Sequence, residues 1–198
     1  MGQIFYNQLM PVLPLISILI TADLVSGEFY NRTAMVLYIN INRKTIVRAK
    51  IEFLFISLVI FVSLLWISLI IATYILFHAI ISFNYLITGY ILILTHLLFY
   101  VSFSFLLSAL TQNTFVAFLG PFFYLYFSGF FLALDMELLS YNYYGSTLFS
   151  FFTDVLISNN YTINDFPLLV FSFIMYFGLP IILFIVTYFE FKKIDIRV

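Results

Sequence analysis

The sequence predicts an all-α fold, a polytopic transmembrane bundle of about five spans with the N-terminus outside and the C-terminus cytoplasmic. Three observations predict it. Of the 198 residues, 64% are hydrophobic and only 9% charged, where a soluble domain carries about a quarter. The apolar residues run unbroken for lengths that cross a bilayer. The basic residues are confined to one side of the resulting bundle. A water-soluble globule has too little polar cover for this composition. A soluble enzyme, a nucleic-acid binder and a disordered chain are therefore excluded. The chain has no cysteine, so disulfides, thiolate metal sites and a cysteine nucleophile are excluded as well.

A spanning helix needs roughly 20 mostly apolar residues. Residues 9–25 form the first segment, short and carrying Pro11 and Pro14, read as a span with a short, tilted or re-entrant element as the alternative. Proline is tolerated near a helix start and within membrane helices. No Lys or Arg precedes this segment and no small-residue cleavage site follows it, which argues against a signal peptide. Residues 53–77 contain no charge, and residues 85–110 contain one histidine and no formal charge. Residues 115–134 lie between Gln112-Asn113 and Asp135. Residues 166–189 run up to Glu190 and the Lys192-Lys193 pair. The whole chain is read as one membrane domain in the cell membrane.

With these five spans, all eight basic residues share one side. Arg32, Arg43, Lys44, Arg48 and Lys50 lie in the loop 26–52, and Lys192, Lys193 and Arg197 in the tail. The opposite side carries Asp135, Glu137, Asp154 and Asp165 with no Lys or Arg. The positive-inside rule puts the loop and the tail in the cytoplasm.

Two loops stand out. The cytoplasmic loop 26–52 is too long for a tight turn and too apolar for a solvated one. A short helix along the inner surface is the expected form. Its polar residues do not gather on one face, which suits a helix touched on several sides by a protein. A basic loop held at anionic headgroups is the plainer alternative, and periodicity alone favours it. The external loop 135–165 holds an apolar stretch from Thr147 to Ile157, too short to cross, which predicts a re-entrant or interfacial helix. Tyr141, Tyr143, Tyr144 and Tyr161 suit an interface belt. Asn160-Tyr161-Thr162 is a sequon on the outer face, making Asn160 a possible glycosylation site.

No Gly-rich phosphate loop, no HExxH and no intramembrane carboxylate pair is present, and no metal site is expected. Any ATP site must sit on another chain. His96 falls near the middle of its span, where an ionisable group is a candidate pathway residue. A neutral imidazole bonding or packing between helices is the favoured reading. His78, at the outer end of residues 53–77, reads as an interfacial anchor. Ser102, Ser104 and Ser108 suit back-bonding or close helix approach. The spans lack charges away from their ends. An ion-driven carrier usually accepts such charges because its ion needs them, so an outside motor fits better.

The loop resembles the coupling region of the ABC-2-type permeases, the membrane subunits of one class of ATP-binding-cassette exporters. In that family a Glu ends a span. A Gly-Thr pair and a leucine-rich stretch follow, then a Pro, a Ser-Arg-like pair, and a Lys opening the next span. Glu28, Thr33 and Leu37 match the first positions, Lys44 the basic one and Lys50 the Lys. Arg32 stands where the family has Gly, and Ile41 where it has Pro. Leu106 to Asn113 resembles the family's inner turn, and Phe189 to Ile196 its ending. The family's usual first N-terminal span has no counterpart, which implies either an earlier start codon or a shortened form. The resemblance implies a permease subunit, itself no enzyme and without a cofactor. A separate ABC ATPase subunit would bind ATP and dock on loop 28–44. A second copy, or a different permease, would complete the pore. Glu28, Thr33, Leu37, Lys44 and Lys50 would be its ATPase-coupling residues, with Lys44 and Lys50 held at the inner headgroups. A non-transporting membrane scaffold is the alternative.

Overall fold

The computed structural model describes residues 12–30, 42–78, 82–158 and 166–193. They form six α-helices: α1 Leu13–Tyr30, α2 Arg43–Phe77, α3 Phe83–Thr111, α4 Thr114–Ala133, α5 Tyr141–Ser158 and α6 Phe166–Lys193. A 3-10 turn, Glu137–Leu139, precedes α5. The all-α expectation is met. α2, α3, α4 and α6 are each long and apolar enough to cross a membrane. The apolar part of α1, Leu13–Leu24, is shorter than a span.

α2 begins ten residues before the apolar segment predicted from residue 53. Hydropathy marks where a chain enters hydrocarbon, whereas a cap marks where a helix begins. Here the Asn42 side chain accepts the Lys44 N–H at 3.1 Å and starts the helix in its polar stretch. At 1.5 Å per residue its 35 residues reach about 52 Å, well beyond an apolar core of about 30 Å. It is therefore longer than an upright span needs. α3 and α4 meet in a two-residue turn. Gln112 takes the left-handed conformation at φ 52°, and its N–H bonds to the Ser108 carbonyl. The Asn113 side chain accepts the Phe115 N–H at 2.9 Å. Both helix ends thus find local partners for orphan backbone groups.

α3 is the central helix. It packs against α1, α2, α4, α5 and α6. In its most apolar window 67% of residues are buried, against 17%, 22% and 17% for α2, α4 and α6. The outer helices turn large apolar side chains outward, such as Ile60, Leu64 and Ile71 on α2 and Phe130 on α4. Such a face suits lipid, where apolar side chains cost nothing to expose. Gly89 lets α2 approach α3 closely, because a Cβ there would lie 2.9 Å from the Trp66 ring.

One end of the bundle collects the close of α1, the start of α2, the close of α3 and the start of α4. The close of α6 joins them, with Phe191 packed in the same cluster as Val47 and Ala109. Lys44, Arg48 and Lys50 all belong to this basic end. From the other end, the chain after α4 folds back inward. The Tyr124 hydroxyl, mid-helix on α4, donates to the Leu139 carbonyl at 2.9 Å and accepts the Tyr141 N–H at 3.0 Å. α5 thus starts deep against the middle of α3 and runs back out, its Phe149 ring meeting Tyr85 near the start of α3. Depth explains one departure from expectation. Composition suits Tyr141 and Tyr144 to an interface belt, yet they are 1% and 2% exposed and pack with Tyr100, Leu125 and Tyr176.

Candidate functional site

The helix ends around residues 31–41 are held by a polar clasp. Ser108 on α3 is the centre of it. Its hydroxyl donates to the Ala22 carbonyl at 3.0 Å and accepts the Ser26 N–H at 3.1 Å. Ala22 and Ser26 lie one turn apart on α1, so a single hydroxyl engages that turn's backbone. The Ser26 hydroxyl in turn lies 2.7 Å from the Thr114 hydroxyl at the start of α4. Thr114 also donates to the Asp23 carboxylate at 3.2 Å. Gly27 leaves room for that carboxylate: a Cβ there would sit 2.6 Å from Asp23 Oδ1. Ser104 adds a second tie between α3 and α4, donating to the Ala117 carbonyl at 3.0 Å. Small side chains let these helices approach, and each interhelical bond in a membrane contributes about 0.6 kcal/mol, reaching about 1.7.

Lys50 closes the clasp on the other side of the loop. Its ammonium donates to the Leu24 carbonyl of α1 at 2.5 Å, and the residue is only 9% exposed. The resemblance assigned Lys50 to the headgroups. Instead its stem lies in the helix interface and its tip ties α1 to α2, a use open to a long amphipathic side chain. Lys44 is exposed in the first turn of α2. Glu28 lies in the last turn of α1, with its side chain outside the described residues. Thr33 and Leu37, the expected inner-surface helix and Asn160 also lie outside them. The structure thus brings Lys50 to the loop root together with Asp23, Ser26, Ser108 and Thr114. Of those four, only Ser108 carried a signal in the sequence, as a small polar residue suited to close helix approach.

The second polar feature is His96, in the heart of α3. It is 1% exposed and ringed by tyrosines. Tyr100, Tyr141 and Tyr176 have ring centroids 5.2, 5.7 and 6.4 Å away. Their hydroxyls serve other acceptors. Tyr141 donates to the Tyr176 carbonyl at 2.7 Å, and Tyr176 to the Leu92 carbonyl at 2.7 Å. Tyr100 reaches Asn142 Oδ1 at 3.4 Å, and Asn142 donates to Ser128 at 2.7 Å. Both imidazole nitrogens lack a hydrogen-bond partner among the described residues. The ring is held by packing alone. An unsatisfied buried polar group costs about 1–3 kcal/mol. His96→Phe keeps an aromatic ring and removes that cost, so thermal unfolding in detergent should shift upward, by about 1–3 kcal/mol. A clear loss of stability would mean that the imidazole has a bonding role.

Among the described residues no group of three or more His, Asp or Glu side chains is placed to hold a metal ion. The chain matches no family model, no curated protein and no solved structure.

Proposed function

We propose that the chain is the membrane-spanning permease subunit of an ABC-2-type exporter. It would move its cargo by alternating access, driven by a separate ATPase subunit that docks on loop 28–44. In this reading α1 completes a fifth span, the basic end faces the cytoplasm, and a second permease completes the pore. α5 is a re-entrant element that lids the outer end.

The observation that supports this reading is the clasp. Ser26, Lys50, Ser108 and Thr114 tie the root of the loop to α1, α2, α3 and α4 at once. A displacement of the loop by a closing ATPase dimer would therefore reach four helices together. Alternating access needs such a link, because a motor shifts a two-state equilibrium only through contacts that differ between the states. The order of elements around the loop agrees with the coupling-region resemblance carried by Glu28, Thr33, Leu37, Lys44 and Lys50.

The test is ATP turnover and substrate export by the reconstituted permease–ATPase complex. Glu28→Ala and Leu37→Ala should leave the bundle folded and the ATPase active, yet reduce export per ATP by tenfold or more. Wild-type coupling in both variants would remove the loop from the mechanism and favour a non-transporting anchor.

A further inference from the structure

A cleft of about 490 Å³ opens between α2 and α6 at the basic end. Lys44, Thr45, Arg48, Ile51 and Glu52 of α2 line one wall, and Tyr188 of α6 the other. Its position and its wall chemistry differ from those of two smaller hollows among the described residues. The small hollow between α1, α2 and α3 is walled by Ile20, Leu54, Leu58 and Phe61 with three hydroxyls and no charge. The one beside α5 is walled by Tyr85, Phe149 and Phe152. Of these three, the α2–α6 cleft alone combines cations with hydroxyl donors.

We propose that this cleft holds the headgroup of an anionic phospholipid whose acyl chains lie along the exposed apolar faces of α2 and α6 below it. The inference is independent of the exporter reading and needs only that the four long apolar helices sit in a bilayer.

The wall supplies what a phosphodiester needs. Lys44 is exposed, and among the described residues it has no carboxylate partner. Arg48 gives its Nε–H to Glu52 at 2.7 Å, which leaves the two Nη groups for a second acceptor. A guanidinium stays cationic at any working pH. With Lys44 and Arg48 against Glu52, the wall carries a net charge of +1, which matches a phosphodiester monoanion. Thr45 and the Tyr188 phenol add neutral donors at the rim.

The surface below the wall supplies what a free anion would not need. Lys44, Arg48, Ile51 and Phe55 follow the spacing of one face of α2. Phe55 is exposed beneath the charged turns. On α6, Ile185 and Ile181 lie one and two turns below Tyr188 and are exposed as well. Charge above a continuous apolar strip is complementary to an amphiphile. Basic pockets between membrane helices on the cytoplasmic side hold lipid headgroups in this manner.

The test is native mass spectrometry of the purified full chain, released from nanodiscs of equimolar phosphatidylglycerol and phosphatidylcholine. One phosphatidylglycerol per chain should be retained, with a preference of about tenfold over phosphatidylcholine. The K44Q/R48Q double variant should abolish that preference. Both side chains point to solvent, so its unfolding transition should match wild type. E52Q removes the acid that competes for Arg48 and should strengthen retention about two- to fivefold, the worth of an exposed ion pair. No folding defect mimics such a gain. Glycerol phosphate at millimolar concentration should fail to displace the lipid, because the acyl chains hold it. Equal retention of the two lipids, a preference that survives K44Q/R48Q, or weakened retention in E52Q would overturn the proposal. Full displacement by glycerol phosphate would replace the lipid with a soluble phosphate ligand.

Discussion

Tyr141→Ala is expected to destabilise the protein by about 3–5 kcal/mol, the usual cost of removing a large buried aromatic. Tyr141 is 1% exposed and sits where α3, α5 and α6 meet. Its ring stacks on Phe99 at 3.8 Å between centroids and on Tyr176 at 4.9 Å. Its hydroxyl donates to the Tyr176 carbonyl at 2.7 Å. Truncation opens a cavity beside His96 and frees the first turn of α5 from the centre of the bundle. Tyr141→Phe keeps the rings and loses only the hydroxyl bond, so it should cost about 1 kcal/mol. Equilibrium unfolding in mixed micelles separates the two variants, and amide exchange should show the gain in opening concentrated in α5. If Tyr141→Ala unfolds like wild type, α5 does not dock deep against α3.

Ser108→Leu is expected to pull α1 away from α3. The Ser108 hydroxyl holds both the Ala22 carbonyl and the Ser26 N–H, and the side chain is fully buried. Leucine removes these bonds, worth about 0.6 kcal/mol each in membrane bundles. It also forces two extra heavy atoms into a close contact, and overpacking adds about 1–3 kcal/mol. Ser108→Ala removes the bonds without the bulk and should be several-fold milder. The measurable result is protection of the amides around Ala22–Ser26 in hydrogen exchange, lost in the leucine variant and largely kept in the alanine one. In the exporter reading Ser108→Leu also breaks the path from loop to bundle, so coupling should fall further than stability alone explains. Equal effects of Leu and Ala would show that α1 and α3 are not closely packed there.

The long apolar runs made α2, α3, α4 and α6 legible, because burial in lipid imposes length and composition on every span. The ends of α3 and α4 came within two residues of expectation, since Gln112-Asn113 interrupts the hydropathy where the caps also lie. The start of α2 did not, because Arg43 to Lys50 is helical without being apolar. The aromatic cluster after α4 misled for a related reason. Tyrosine suits an interface belt and a packed interior alike, and composition does not distinguish them. Only the return of the chain against Tyr124 puts Tyr141 inside.

The clasp was the least legible part. Ser26 pairs with Ser108 across 82 residues and with Thr114 across 88. Single hydroxyls at that separation have no local signature, and Asp23 reads as a mere span end. His96 was visible as a polar residue at membrane depth. Its isolation from every hydrogen-bond partner described follows from where Tyr141 and Tyr176 aim their hydroxyls, at the Tyr176 and Leu92 carbonyls. In the sequence Lys44 and Arg48 show only as part of a basic loop suited to headgroups. The added fact is the cleft they share with Tyr188, which is a tertiary contact between α2 and α6.

The exporter proposal makes this chain the membrane half of a two-part machine. The direct test is to purify the tagged protein from its own cells in mild detergent and identify every co-purifying chain by mass spectrometry. A stoichiometric partner with a Walker-type ATP site is expected, retained by wild type and lost from the Glu28→Ala and Leu37→Ala double variant. A protein that purifies alone, or only with membrane chains lacking a nucleotide site, would contradict it.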